Sequence, residues 1–220
     1  MDTVVLIHGG LWEDVGADWF WRRTGVVDGL AGRGLTVVAP DRLRRATSWA
    51  DEAAQVATAV RGRPAGAGPG GAATRGAAAA MTVVGGSFGC AVAVRLALDF
   101  PELVGRLVLA WPAGLADQFT AIRLRAGLAR LGAPASALNA LLGTETVPSA
   151  TDAELRTLAV PVGVLAATPP GPVHPRSTVD ALLRLLPSAV ELPGSPEAPR
   201  PEFPAQLESF IDVVAAFATG

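Results

Sequence analysis

A chain of 220 residues, half of them apolar, has the material for one α/β domain with a sizeable core. The formal charge of −2 is spread without blocks and every basic side chain is an arginine, so there is no basic stripe of the kind that grips nucleic acid. Cys90 is the only cysteine, which excludes an internal disulfide, and no apolar run is long enough to span a bilayer. Met1 passes straight into the strand-like Val4-Val5-Leu6-Ile7 with no basic and apolar leader before it. The expectation is a soluble, cytoplasmic protein with no membrane or nucleic-acid partner, no metal and no cofactor.

Along the chain, short runs of Val, Leu and Ile alternate with helical stretches. Strands are predicted at 3–7, 35–39, 81–84, 106–110, 162–166 and 189–192. Most lack polar alternation, the pattern of parallel strands buried on both faces. Helices are predicted at about 18–31, 49–61, 88–99, 179–186 and 204–217. Ser48-Trp49-Ala50-Asp51 resembles a helix-start capping box, Pro204 suits a first helical turn, and Pro101 ends the helix before it. Strand and helix in regular alternation predict a doubly wound, mostly parallel sheet of about six strands in a single domain, 1–220. Two segments break the rhythm. Residues 62–80 are almost all Gly, Ala, Pro and Arg, and such a composition buries too little to offset its ordering entropy, so a loose surface loop is expected. Residues 117–158 delay the fifth strand far beyond an ordinary connection and carry helical patterns, which predicts a small helical lid.

The segment Met81-Thr82-Val83-Val84-Gly85-Gly86-Ser87-Phe88-Gly89-Cys90 is a strand running into Gly-x-Ser-x-Gly and then a helix. A serine on so sharp a turn stands at the carboxyl edge of the sheet over a helix N-terminus, and small neighbours permit the close approach. Three further segments agree with it in order: Val5-Leu6-Ile7-His8-Gly9-Gly10, Val37-Val38-Ala39-Pro40-Asp41, and the stretch from Phe100-Pro101-Glu102 to Val108-Leu109-Ala110. Together they resemble the α/β-hydrolase superfamily over nearly the whole chain. Since the chain opens on the strand before His8-Gly9-Gly10, two N-terminal strands common in that superfamily are expected to be absent. The resemblance implies an α/β-hydrolase fold with Ser87 at the nucleophile position and the backbone N–H groups of Gly10 and Phe88 facing a developing oxyanion. It implies a packing role for His8 beside the oxyanion loop. Leu11, Trp12, Phe88, Trp111, Phe119 and Ile122 are candidates to line an apolar pocket, with His8 at its edge and ordinary core packing as the alternative for most. Cys90 is expected to pack under the elbow as a small hydrophobe.

A superfamily hydrolase supplies its triad in the order serine, acid, histidine. The acid loop here reads Ala167-Thr168-Pro169-Pro170-Gly171-Pro172-Val173-His174-Pro175, similar to an Asp-Pro-Val-His-Pro loop with Gly171 in place of the aspartate. The histidine turn reads Pro193-Gly194-Ser195-Pro196-Glu197, with Glu197 in place of the histidine. No histidine follows His174, and only His8 and His174 remain as bases. Asp117 follows the fourth strand near where some relatives place an alternative acid, a location with little meaning without a histidine to orient, and Asp41 and Glu13 are expected to be surface or turn residues. The leading expectation is a triad-degenerate member that binds a small, mostly apolar molecule, as a non-hydrolytic catalyst or a ligand-binding protein. A carboxylic-ester hydrolase that uses Ser87 with a displaced base, His174, is the alternative. A protein-interaction module reusing the fold is a third.

Overall fold

The computed structural model describes residues 2–62, 80–115, 117–143 and 145–220. Nearly all of the predicted loop at 62–80 therefore lies outside the described residues. Six strands form one sheet: β1 (Thr3–Ile7), β2 (Thr36–Val38), β3 (Met81–Gly86), β4 (Val104–Ala110), β5 (Val162–Ala167) and β6 (Ala189–Ser195). They lie in the order β2-β1-β3-β4-β5-β6, and every pairing is parallel. The order reverses between β1 and β3, so the connections leave in opposite directions and the carboxyl ends of those two strands flank a crevice.

The unbroken apolar runs have the reason expected of them. Val5, Ile7, Val83, Leu107, Leu109, Val162 and Val164 face one core. Helices α2 (Trp49–Arg61), α3 (Gly89–Asp99) and α7 (Arg176–Leu185) cover that face. Val4, Leu6, Val84, Val108, Ala110 and Leu165 face the other, beneath α1 (Val26–Gly32) and α8 (Leu207–Thr219). The period of two along each strand thus feeds both layers with apolar side chains. On the α1/α8 side an aromatic cluster closes the core. Trp111 stacks on Phe210 at a centroid distance of 5.2 Å and on Trp21 at 6.1 Å, and meets Phe203 edge-on at 5.9 Å. Each such pair contributes roughly 0.5–1.5 kcal/mol beyond its buried area.

Local signals set the helix ends well. The Ser48 hydroxyl accepts from the Asp51 N–H at 3.1 Å and α2 starts at Trp49. The predicted helix over 18–31 is instead a π-helical turn, Asp18–Arg22, followed by α1, because Gly25 sits at φ 83 and breaks the run. The last helix begins with a 3-10 turn, Phe203–Gln206, carrying Pro204 in its first turn. Between β4 and β5 stand three helices, α4 (Gln118–Arg130), α5 (Ala135–Leu141) and α6 (Asp152–Leu155). Asp117 caps α4, accepting from the N–H groups of Phe119 and Thr120, and Thr151 with Glu154 makes a reciprocal capping box on α6. Among the described residues no helix is long and apolar enough to cross a membrane.

Candidate active site

β3 delivers Ser87 to a turn where the chain takes φ 54, the left-handed region that a non-glycine residue enters only under strain. The turn is held by the Ser87 N–H donating to the Ala110 carbonyl at 3.0 Å and by the Cys90 N–H donating to the Ser87 carbonyl at 3.0 Å. The flanking glycines are required by contact. A Cβ on Gly89 would stand 2.3 Å from the Ile7 carbonyl oxygen, and one on Gly85 would stand 2.6 Å from the Gly89 carbonyl oxygen. Cys90 packs under the elbow, fully buried, with its thiol hydrogen-bonded to the Gly85 carbonyl at 3.1 Å; burial pushes the thiol well above its usual range.

The loop after β1 passes directly against Ser87: a Cβ on Gly9 would lie 3.0 Å from the Cβ of Ser87. Gly10, Leu11, Phe88 and Ser87 line the same cavity, about 460 Å³. His8 does not. It is buried behind the loop, its Nδ1 2.8 Å from the Gly9 carbonyl oxygen and its Nε2 accepting the Arg42 N–H at 3.0 Å. Burial first, and then the Arg42 charge, lowers its pKa to about 4. His8, also a candidate pocket residue, thus packs behind the loop instead of lining the Ser87 cavity. Two residues absent from the sequence reading surround it. The Arg42 guanidinium, 4% exposed, forks onto the Glu52 carboxylate, 1% exposed, at 2.6 and 2.8 Å.

The loops after β5 and β6 bring two more groups to Ser87. Gly171 and His174 close a tight turn by exchanging backbone hydrogen bonds of 3.2 and 3.1 Å, and the Gly114 N–H pins it through the Val173 carbonyl at 2.9 Å. The turn aims the His174 ring inward, so that Nε2 stands 2.8 Å from Ser87 Oγ. β6 runs to Ser195, three residues past the predicted end, because Ala167 pairs with Ser195 and the Thr168 N–H donates to its carbonyl. Glu197 therefore leaves the sheet beside the β5 loop, and its Oε2 lies 3.8 Å from His174 Nδ1. That separation exceeds a hydrogen bond. Arg200, on the same loop, approaches Glu197 at 3.5 Å. Burial, followed by the Arg200 charge, lowers the His174 pKa to about 4, so the ring is neutral at pH 7, and in the tautomer protonated on Nδ1 its Nε2 accepts from the Ser87 hydroxyl. Burial pushes the Glu197 carboxyl up, against Arg200 and the Ser87 hydroxyl, which pull it down. Ser87, His174 and Glu197, with Gly171 and Arg200, all line the cavity, while Glu13 stands exposed at its mouth. Asp41 serves a turn, accepting the Ala17 N–H at 2.8 Å.

Several expected pocket residues lie elsewhere. Trp111 is wholly buried in the aromatic cluster on the far face, its indole N–H donating to the Ser195 carbonyl at 2.9 Å. Phe119 points outward from the first turn of α4 and is 76% exposed, because the helix turns Thr120 and Leu128 inward instead. Trp12 sits outside the Ser87 cavity, its N–H donating to the Ala46 carbonyl at 2.7 Å and its ring beneath Arg45. Ile122 lines a neighbouring groove along α4; from that helix it is Leu124 that reaches the Ser87 cavity.

No family model and no curated protein matches the chain. Solved structures do. A meta-cleavage product hydrolase from Pseudomonas fluorescens superimposes with a TM-score of 0.67 at 19% identity, covering 100% of this chain and 91% of that one. An extracellular α/β-hydrolase from a Paenibacillus species gives 0.66 at 15% identity, covering 99% of each chain. NosK from Streptomyces actuosus gives 0.63 at 21% identity, covering 100% of this chain and 99% of its own. With the six-stranded parallel sheet, the serine elbow after β3 and these likenesses over the whole length, the chain has the α/β-hydrolase fold.

Proposed function

We propose that the chain is a slow serine hydrolase of small, mostly apolar carboxylic esters, with the two partners of its serine exchanged between loops. His174, in the loop that ordinarily carries the acid, is the base. Glu197, in the loop that ordinarily carries the histidine, is the acid. One observation carries the reading: Ser87 Oγ and His174 Nε2 are 2.8 Å apart in a cavity open to a small molecule. As Oγ attacks the ester carbonyl, its proton passes to Nε2 and the carbonyl π pair moves onto oxygen, facing the N–H groups of the oxyanion loop and of Phe88. The tetrahedral centre collapses, the alkoxide leaves with the proton from His174, and a water molecule repeats the sequence to release the acid and free Ser87. Glu197 stabilises the transient imidazolium from the Nδ1 side. A base whose pKa is held near 4 is a weak one, which is why the turnover is expected to be slow.

The distance of 3.8 Å between Nδ1 and the Glu197 carboxylate favours a second reading, in which the cavity binds its apolar molecule without hydrolysing it. The two separate on a fluorophosphonate probe, read by intact mass and peptide mapping on the parent and Ser87→Ala. The hydrolase reading expects one phosphonyl adduct on Ser87 in the parent and none in the variant. A folded parent that stays unlabelled over hours supports the binding protein instead.

A further inference from the structure

Arg42 comes to the site from the turn after β2, on the side of the oxyanion loop away from solvent. A single nitrogen, Nη1, donates to three successive carbonyls of that loop: His8 at 2.9 Å, Gly9 at 3.2 Å and Gly10 at 2.8 Å. Its other two nitrogens are taken up by the fork to Glu52, and its own backbone N–H donates to His8 Nε2. Every polar edge of the guanidinium is thus directed at the loop or at the residue that fixes it.

The consequence follows from peptide geometry. In a trans peptide the C=O and the N–H point in opposite directions. The Gly9 carbonyl shares its peptide plane with the Gly10 N–H, and the Gly10 carbonyl shares its plane with the Leu11 N–H. Drawing both carbonyls back onto Arg42 turns both N–H groups the other way, and Gly10 and Leu11 are residues that line the Ser87 cavity. Gly10 accepts the necessary backbone at φ 82, which a side chain would strain. A buried ion pair is a poor source of stability, since desolvation offsets its attraction, so the Arg42–Glu52 fork is weakly explained as a brace for the fold. As a device that orients a loop and places a buried positive charge behind it, the same fork has a use.

We propose that Arg42, locked by Glu52, is a positioning residue that turns the N–H groups of Gly10 and Leu11 toward Ser87 and so builds the oxyanion site. This rests on the reading of Ser87 as a nucleophile for its effect on rate, but the orientation of the loop can be read without any catalysis. The variants are Arg42→Lys, which keeps the charge and loses the fork, and Glu52→Gln, which keeps the shape and loosens the lock. Where Arg42→Lys fails to fold, Glu52→Gln carries the test. The first measurement is the Ki of a trifluoromethyl ketone, whose adduct with Ser87 places an oxyanion in the site, beside the Kd of the matching methyl ketone, which binds without the adduct. The expected result is a loss of roughly 10²–10³-fold for the adduct former, the usual effect of one oxyanion donor, with the methyl ketone unchanged. Equal losses for both, or none, in a folded variant overturn the proposal. The second measurement is the crystal structure of the variant. The Gly9–Gly10 peptide is expected to rotate; a loop with its carbonyls still turned back in the absence of the fork overturns the proposal whether or not the parent is a hydrolase. A parent that forms no adduct, with a loop that does rotate, sinks the reading of Ser87 and keeps that of Arg42.

Discussion

Replacing His174 by alanine isolates the contact on which the hydrolase reading stands. In a fully tuned serine hydrolase, removing the base costs about 10⁶-fold in turnover. Here the imidazole sits near 4 rather than 6.5. If proton transfer feels that whole difference, the base is weaker by ~3 kcal/mol, or about 300-fold. The parent should then turn over at about 3 × 10⁻³ to 3 per second, at or below the foot of the usual range of roughly 1–10³, and His174→Ala should lower kcat by the remainder, about 10³–10⁴-fold. The assay is kcat and KM for p-nitrophenyl acetate and butyrate on the parent, Ser87→Ala, His174→Ala and the double variant. KM should move little, because the contact is made to the nucleophile rather than to the ester. The double variant should be no slower than either single one, since groups that act as a unit lose their effect together. A His174→Ala enzyme that keeps the parent rate while Ser87→Ala is dead would refute the reasoning and make Glu197, whose carboxyl also faces the Ser87 hydroxyl, the base to test next.

Two further outcomes are expected. His8 and His174 are each held near 4 in the folded protein against 6.5 unfolded, so between those values the unfolded chain binds more protons and stability falls as pH is lowered from about 6.5 toward 4. Each contributes up to ~3 kcal/mol of that loss, and urea midpoints across this window should fall less steeply in His174→Gln; equal slopes for parent and variant would contradict the buried neutral ring. Gly89→Ala should be strongly destabilising, because its Cβ meets backbone oxygens at 2.3 and 2.7 Å that have no rotamer to escape into. At the ~3 kcal/mol upper end of overpacking, Tm should drop by roughly 6–12 °C, and an unchanged Tm would show that the elbow has more room than the distances allow.

What the sequence by itself determined was local in origin. Most of the six strands announce themselves by runs rich in Val, Leu and Ile, because a strand buried on both faces has little room for polar side chains; the edge strands β2 and β6 are partly exposed and carry Thr36 and Glu191. The elbow is legible because glycine, serine and glycine sit within five residues between a strand run and a helix, although its strained turn is held by Ala110 and crowded by Ile7 on the neighbouring strands. The cap at Ser48 is a short-range matter of the same kind. Only the tertiary structure decided which distant groups meet. Ser87 and His174 are 87 residues apart, and their contact depends on the Gly171–His174 turn, its tie to Gly114 and the extension of β6 to Ser195. Matching each loop to its usual residue finds a glycine and a glutamate where an acid and a histidine are looked for, and cannot register that His174, three residues past that glycine, reaches Ser87 from the other end of the same turn. Arg42 and Glu52 carry no sequence signal beyond a charged pair ten residues apart; burial of both side chains behind the loop after β1 is what distinguishes them from a surface pair. Trp111 and Phe119 show the converse. Both are aromatic residues just past β4, yet the twist of the chain after the strand sends one into the far core and the other into solvent. An apolar side chain records that it can be buried, and only the path of the backbone decides against what.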